Sequence, residues 1–161
     1  MDLTFLTAEG ILNIRASAVF YRDGRLLAKR KVLPGGSKPV QYSLPGGRVR
    51  LHETAERAIV RETQEELGIA ARILRPLWVC QNFYTESVHH TRCHELCFYF
   101  WMDASGLPQD QPTFLIQEGT QTHLFEWLHV EDLQDVRLVP EFIKQKVLNL
   151  SEEFALVTDG R

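Results

Sequence analysis

The sequence has few cysteines, no long hydrophobic run and no excess of basic residues. Its three cysteines, Cys80, Cys93 and Cys97, include no CxxC pair, so we expect free thiols on strands and neither a disulfide framework nor a four-cysteine zinc site. No apolar stretch approaches the roughly 20 residues that span a bilayer. A formal net charge of -3 gives no broad basic surface, so we expect neither membrane association nor stable nucleic-acid binding.

The overall composition is that of an ordinary globular protein. Hydrophobic residues make up 44% of the chain and charged residues 24%, and a length of 161 residues predicts a single domain over residues 1–161. Because Met1 to Thr4 lack the basic start and apolar run of a signal peptide, a cytoplasmic location is expected. A monomer and a homodimer both remain open.

Alternating apolar residues predict the first strands. A β-hairpin is predicted over residues 13–21 and 25–31, joined by Asp23-Gly24, a dipeptide suited to tight turns. The turn-rich residues 33–39 predict a loop, which leads into a short strand at 41–44.

The second half of the chain is predicted to continue the sheet. Two runs rich in aromatic and β-branched residues, 72–84 and 93–102, predict antiparallel strands. A loop at 113–121 and a strand at 122–128 should follow. A helical turn at 130–133 then precedes a terminal helix that begins at Pro140. The buried side of this helix is expected to contain Phe142, Ile143, Val147 and Leu150.

The most clearly marked helix covers residues 54–67. It contains no Gly or Pro, Thr54 stands at the N-cap position and Gly68 at the C-terminal stop. Glu62, Glu65 and Glu66 share one face of this helix, where each like-charge pair costs roughly 0.2–0.5 kcal/mol. A divalent cation would reverse that penalty, and all-oxygen ligands suit Mg²⁺ or Mn²⁺. Taken alone, the cluster is better explained as a solvated acidic face neutralised by Arg57 and Arg61, because charge runs are usually surface.

The residues before the cluster decide between these readings. From Gly47 there are five residues to Glu53 and seven more to Arg61, which opens the segment Arg-Glu-Thr-Gln-Glu-Glu-Leu-Gly-Ile ending at Ile69. This pattern resembles the Nudix box, Gx5Ex7REUxEExGU, of the Nudix (MutT-like) hydrolase family. Every fixed position matches, and the one departure is Thr63, which stands where a bulky aliphatic residue is usual and should face the core. The resemblance implies an α+β fold, an α/β/α sandwich with a mixed central sheet flanked by helices.

The resemblance also implies a metal site. The Gly46 carbonyl and the carboxylates of Glu62, Glu65 and Glu66 would hold Mg²⁺ or Mn²⁺, and Glu62 is our first choice for the group that orients or deprotonates water. Arg61 is expected to fix the cluster by pairing with Glu53 or Glu65. The family often adds one acid from outside the box, and the candidates for it are Glu118, Glu126 and, less favoured, Glu95.

The expected reaction is hydrolysis of a phosphoanhydride bond in a nucleoside diphosphate linked to another group. Among the basic residues before the box, Arg30 and Lys38 are candidates to hold substrate phosphate. Tyr84 lies near an offset where dinucleotide polyphosphate enzymes carry a tyrosine, whereas the proline typical of ADP-ribose enzymes is missing there. A regulatory module that binds a nucleotide without cleaving it is the alternative, although such proteins commonly lose box carboxylates. An isomerase acting on prenyl diphosphates fits poorly, because no cysteine is clearly placed for it.

Overall fold

The computed structural model describes residues 1–31, 40–86, 89–151 and 153–160, so the predicted loop at 33–39 and Lys38 lie outside the described residues. Within them no helix has the length and hydropathy of a membrane-spanning segment. The two α-helices are α1 (Ala55–Leu67) and α2 (Ile143–Lys146), and short 3₁₀ helices cover Val130–Asp135 and Val147–Asn149. The strands are β1 (Thr4–Thr7), β2 (Gly10–Arg22), β3 (Arg25–Lys31), β4 (Gln41–Ser43), β5 (Gly46–Arg48), β6 (Ile73–Thr85), β7 (Arg92–Met102), β8 (Thr113–Glu118), β9 (Gln121–His129), β10 (Arg137–Val139) and β11 (Ala155–Gly160).

Strand β2 organises a mixed sheet whose path among the described strands is β10-β4-β3-β2-β7-β6-β11. It runs parallel to β7 from the pair Ile11 and Cys93 to the pair Phe20 and Met102. On its other side it pairs antiparallel with β1 and with β5. The predicted antiparallel pairing of β6 and β7 is confirmed, as is the mixed character of the sheet.

The predicted hairpin between β2 and β3 is confirmed, but it is short. Asp23 and Gly24 both have positive φ angles, 49° and 73°, as a tight two-residue turn requires. Only the two residue pairs next to that turn form a ladder. Beyond it the strands separate, because β2 pairs with β7 whereas β3 pairs with β4 and β9.

Helical elements cover both faces of the sheet. On one face Ala16, Ala18 and Phe20 pack with Ala58 and Ile59 of α1. On the other face the core includes residues of the sheet together with the 3₁₀ segment and the terminal helical region; its members include Val19, Tyr99, Leu133, Ile143 and Val147. Because successive residues of a strand point to opposite faces, β2 contributes to both cores. The predicted α/β/α sandwich is confirmed.

Helix α1 begins and ends as predicted. The Thr54 hydroxyl accepts a hydrogen bond from the Arg57 N–H at 3.3 Å, and Gly68 ends the helix in the left-handed conformation, where its N–H donates to the Gln64 carbonyl. Thr63 is fully buried, as expected for a residue that faces the core. Its hydroxyl donates to the Val60 carbonyl at 2.9 Å and accepts from the Ala71 N–H at 3.4 Å, so a polar residue is tolerated there.

Two secondary-structure predictions were wrong. Residues 113–121 are not a loop: β8 covers Thr113–Glu118 and forms a hairpin with β9, and Phe114 is buried whereas Leu115 is 66% exposed. That alternation was hidden by the polar residues at the hairpin's tip. The terminal helix is also shorter than predicted, since only Ile143–Lys146 is α-helical before a 3₁₀ turn. The predicted burial of Ile143, Val147 and Leu150 holds, whereas Phe142 is half-buried.

Short or distant pairings account for the strands that the sequence did not predict. Strand β10 has three residues and gains its ladder from β4, and β11 pairs in parallel with β6, which lies some 70 residues earlier in the chain. Neither pairing leaves a periodic pattern long enough to be recognised. The three cysteines are free and buried on β6 and β7, as predicted.

The packing of α1 on the sheet predicts a large effect for Ile59→Ala. Ile59 is fully buried, so truncation leaves a cavity and should lower the free energy of unfolding by about 2–5 kcal/mol. Leu148→Ala is the control, because Leu148 is 62% exposed and its loss should change stability by less than about 0.5 kcal/mol. Urea unfolding measures both, and similar values for the two variants would contradict the described packing.

Candidate active site between α1 and β5

The carboxylates of α1 meet the backbone of β5. Strand β5 lies against β2 with Gly46 opposite Ser17 and Gly47 opposite Ala16, and α1 packs over the same part of β2. The C-terminal half of α1 therefore carries its acidic residues to the two glycines that begin β5. The sequence-predicted residues Gly46, Glu62 and Glu66 are brought together here.

Glu66 joins α1 to β5 and β3. Its side chain is almost fully buried, and one carboxylate oxygen accepts the Gly46 N–H at 2.8 Å. The other oxygen accepts from the Lys29 ammonium at 2.6 Å. A buried carboxylate needs such partners to remain charged, so Lys29 is its internal counter-cation.

Glu62 lies against the bare backbone of Gly47. A Cβ atom built on Gly47 would lie 2.2 Å from the Glu62 carboxylate carbon and 2.3 Å from its Oε2, so any side chain at this position would displace the carboxylate. Burial raises the pKa of Glu62, the Arg61 guanidinium opposes that rise, and the charges of Glu65 and Glu66 add to it. Crowded acidic groups are thus present at Gly46 and Gly47, which we call the glycine turn of β5 because they follow directly on the bend at Pro45.

Arg61 binds four groups and fixes the arrangement of the cluster. Its Nε and Nη2 form a fork with the two oxygens of Glu53, at 2.8 and 2.9 Å, and Nη2 also donates to the Arg48 carbonyl at 2.9 Å. Its Nη1 donates to both Glu62 and Glu65. The prediction that Arg61 pairs with Glu53 or Glu65 is therefore met by both partners at once.

The donor set suits a hard divalent cation. The available groups are the carboxylates and the carbonyl of the adjoining Gly46, the oxygen ligands that Mg²⁺ and Mn²⁺ prefer, and the mutual repulsion of the carboxylates would fall on binding such an ion. Among the described residues, no three acidic, histidine or cysteine side chains converge as a metal-binding group. Lys29, Arg50 and Arg61 contact these carboxylates, so an ion would bind by displacing one or more of these cations.

The three acids predicted outside the box have partners of their own. Glu118 contacts His123 at 2.8 Å within the β8–β9 hairpin. Glu126 on β9 accepts from the Tyr42 hydroxyl at 2.8 Å. Glu95, almost fully buried on β7, lies 3.6 Å from the Nε of Arg15. Which of them completes a metal site stays a prediction.

Two of the predicted substrate-binding residues, Arg30 and Tyr84, lie on strands of the sheet. Arg30 is exposed near the end of β3, opposite Tyr42 of β4. Tyr84 of β6 is 38% exposed and faces Cys93 of β7; partial burial, with a contribution from the Glu95 charge, raises the pKa of Tyr84 to about 12. The structure leaves their roles as predictions.

Arg15 is the site residue that the sequence reasoning missed. Its Nη2 donates to the Gly46 carbonyl at 3.4 Å. The available signal was a single charged residue within the mainly apolar stretch from Ile14 to Phe20. Its partner Glu95 lies 80 positions later, and only the parallel register of β2 and β7 brings the two together.

The sequence matches a known protein family and a relative in that family. The family model described as NUDIX domain matches residues 12–148. An ADP-ribose pyrophosphatase from Methanocaldococcus jannaschii is 32% identical over 94 residues, covering 58% of this chain and 52% of the relative, so the match spans about half of that relative's length.

Two solved structures extend the comparison. A MutT NUDIX hydrolase from Burkholderia pseudomallei is 28% identical and has a TM-score of 0.51 over 74% of this chain and 84% of its own. A NUDIX hydrolase from Nitrosomonas europaea has a TM-score of 0.59 over 86% of this chain and 88% of its own. At 16% identity the second likeness shows the fold alone.

The Arg61–Glu53 pair predicts a pH dependence of stability. Hydrogen bonding to Arg61 holds the pKa of Glu53 at about 2, below its ordinary value of 4.5. Because the folded-state pKa is the lower one, the pair stabilises the fold above pH 4.5 and that contribution is lost as the pH falls from about 4.5 to about 2. Glu53→Gln should therefore be less stable at neutral pH and lose less stability across that window.

Urea unfolding at a series of pH values measures this difference. Glu56→Gln is the matched control, because Glu56 lies three residues after Glu53, in the first turn of α1, and is exposed. This variant should keep the wild-type profile. A Glu53→Gln profile parallel to that of the wild type would show that the pair does not carry the linkage.

Proposed function

The chain belongs to the Nudix hydrolase family, and from that premise we propose that it hydrolyses a phosphoanhydride bond in a nucleoside diphosphate linked to another group, by attack of water on phosphorus. The observation that carries the proposal is the meeting of Glu62 and Glu66 with Gly47 and Gly46 of β5, with Glu65 joined to Glu62 through Arg61. The relative in Methanocaldococcus jannaschii is an ADP-ribose pyrophosphatase, which makes ADP-ribose the first substrate to test.

The proposed cofactor is Mg²⁺ or Mn²⁺. The carboxylates of Glu62, Glu65 and Glu66 and the Gly46 carbonyl would hold it, with one of the acids Glu118, Glu126 or Glu95 as a candidate addition. When bound, such an ion neutralises the anionic diphosphate and makes water a better nucleophile at neutral pH.

The chain's own residues have separate tasks in this proposal. Glu62 accepts the proton of the attacking water at a carboxylate oxygen, because burial and neighbouring negative charge raise its pKa and make it a stronger base than a solvated glutamate. Arg61 and Glu53 keep that carboxylate oriented toward the glycine turn. Arg30, Lys38 and Tyr84 are the proposed contacts for the remainder of the substrate.

All four box glutamates, Glu53, Glu62, Glu65 and Glu66, are present, which favours catalysis over a module that only binds a nucleotide. A panel of ATP, diadenosine tetraphosphate, UDP-glucose and ADP-ribose, each incubated with Mg²⁺ or Mn²⁺, tests the proposal directly. Release of phosphate or of a mononucleotide from at least one compound is the expected result. Binding of these compounds without any turnover would overturn the assignment and support the binding module.

Removal of single carboxylate charges should separate chemistry from folding. We expect Glu65→Gln and Glu66→Gln to lower kcat by about a hundredfold to ten-thousandfold, because each loses a charge that helps to hold the ion. Glu56→Gln, also on α1 and exposed, should retain wild-type kcat. Near-normal turnover in both site variants, with circular dichroism showing intact folds, would defeat the proposed roles.

Exchange of Lys29 for the ion predicts a gain of metal affinity in Lys29→Met. Removing the ammonium from Glu66 eliminates a competing cation and should tighten Mn²⁺ binding by about tenfold or more, measured by isothermal titration calorimetry. The metal-free variant should also unfold at a lower urea concentration, since Glu66 would be left buried without its counter-cation. Lys31→Met removes the same charge from an exposed position on β3 and should change neither property.

An affinity for Mn²⁺ in Lys29→Met equal to or weaker than that of the wild type would show that Lys29 does not compete with the ion. Equal effects in Lys31→Met would assign the change to net charge alone. Either outcome would contradict the exchange of cations.

A further inference from the structure

A row of polar side chains crosses the face of the sheet opposite α1. Asn13 of β2, Glu95 of β7, Asn82 of β6 and Asp159 of β11 occupy paired positions in neighbouring strands, so their side chains point to the same face. Arg15, two residues after Asn13, shares that face. Apolar residues fill the same face farther along, around Val19 and Tyr99, so the polar row marks a local change of character.

Arg15 links this row to the candidate metal site. Its Nε lies 3.6 Å from Oε2 of Glu95, and its Nη2 lies 3.4 Å from the Gly46 carbonyl oxygen. Both backbone polar groups of Gly46 are therefore held: its N–H donates to Glu66 of α1, and its carbonyl accepts from Arg15 of β2.

The two members of the ion pair differ in access to solvent. The Arg15 side chain is 32% exposed, whereas that of Glu95 is 12% exposed. Burial raises the pKa of Glu95, and the Arg15 charge and a hydrogen bond from the Asn82 side chain oppose that rise. Asn82 thus supports Glu95, and Glu95 in turn supports the guanidinium of Arg15, which is the more exposed member of the pair.

The energetics favour a functional reason for this pair. Placing an ion pair in a largely buried position gives little net stability, because the desolvation of both charges offsets their attraction. Well-packed apolar residues, such as those that occupy the same face farther along β2 and β7, would serve the fold as well. The pair stands instead beside the carbonyl expected to bind the metal ion.

We propose that Arg15 binds the diphosphate group of the substrate and that Glu95 and Asn82 position its guanidinium, an inference that rests on the proposed hydrolase function. The planar fork of an arginine matches the oxygens of a phosphate. A cation bound at the Gly46 carbonyl would repel Arg15 and deprive its Nη2 of an acceptor, and the oxygens of the diphosphate then take that place. Arg15 acts in binding, and it contributes no proton to the reaction.

Kinetics of Arg15→Gln test the proposal, with Arg22→Gln as a matched control. Arg22 lies on the same strand, and its Nη2 also donates to a backbone carbonyl, that of Pro108, at 3.2 Å. For the panel compound that the wild type cleaves fastest, Arg15→Gln should raise KM by about ten- to hundredfold, the effect of one charge-assisted hydrogen bond, and change kcat much less. The inhibition constant of ADP should rise in parallel, and Arg22→Gln should leave both near wild type.

Glu95→Gln distinguishes a positioning role from direct contact. Alone it should raise KM and the inhibition constant of ADP by a smaller factor than Arg15→Gln. Combined with Arg15→Gln it should add no further increase, because in this proposal Glu95 acts through Arg15 and is not the added metal ligand. Arg15→Lys, which keeps the charge but not the fork, should fall between wild type and Arg15→Gln, and it also serves as the test if Arg15→Gln does not fold.

Unchanged KM and ADP inhibition in the folded Arg15 variants would overturn the proposal, as would additive effects of Glu95→Gln and Arg15→Gln. Failure of the hydrolase function itself is distinguishable. If the wild type cleaves none of the panel compounds, calorimetric titration of ADP into wild type and Arg15→Lys still reports the contribution of Arg15 to binding, and equal affinities would reject it.

Discussion

The candidate site depends on Arg61, because its guanidinium holds the mutually repelling carboxylates of Glu53, Glu62 and Glu65 in place. Arg61 divides its N–H groups between the two oxygens of Glu53, the Arg48 carbonyl and the carboxylates of Glu62 and Glu65. Without it, like charges on adjacent turns of α1 would spread apart into solvent. Because the same guanidinium holds the backbone of β5, the acidic face of the helix and the glycine turn keep one mutual position.

Three cations of the protein contact the cluster, Arg50, Arg61 and Lys29, and the last two differ in how firmly they are held. Arg61 is fixed by a two-pronged contact with Glu53 and by a backbone carbonyl, so displacing it would break several hydrogen bonds together. Lys29 makes one short contact with Glu66 through a flexible stem, and a lysine ammonium is a compact point charge. A divalent ion that bound here would therefore exchange with Lys29 more easily than with Arg61, and the scaffold would persist while the charge balance changed.

The sequence predicts those parts of the site that are local in the chain. Thr54 and Gly68 delimit α1, and the spacing from Gly47 to Glu66 places the acids and their arginine, because a helix fixes the geometry of neighbouring turns. The Arg15–Glu95 pair and the Lys29–Glu66 contact depend on strand order and register, which no local pattern encodes. The same limitation explains the loop wrongly predicted at 113–121, where cross-strand partners in β9 stabilise a strand with polar ends.

Strand β2 explains why metal binding and substrate binding would be coupled. Ala16 packs on the α1 side, whereas Arg15 and Ser17 point to the opposite face, and Gly46 and Gly47 pair with this same segment. Because strand side chains alternate, a shift of one residue in the pairing of β2 would turn Arg15 toward α1 and move the glycine turn away from Glu66. One strand register therefore sets both the carboxylate site on one face and the arginine on the other, with the Gly46 peptide between them.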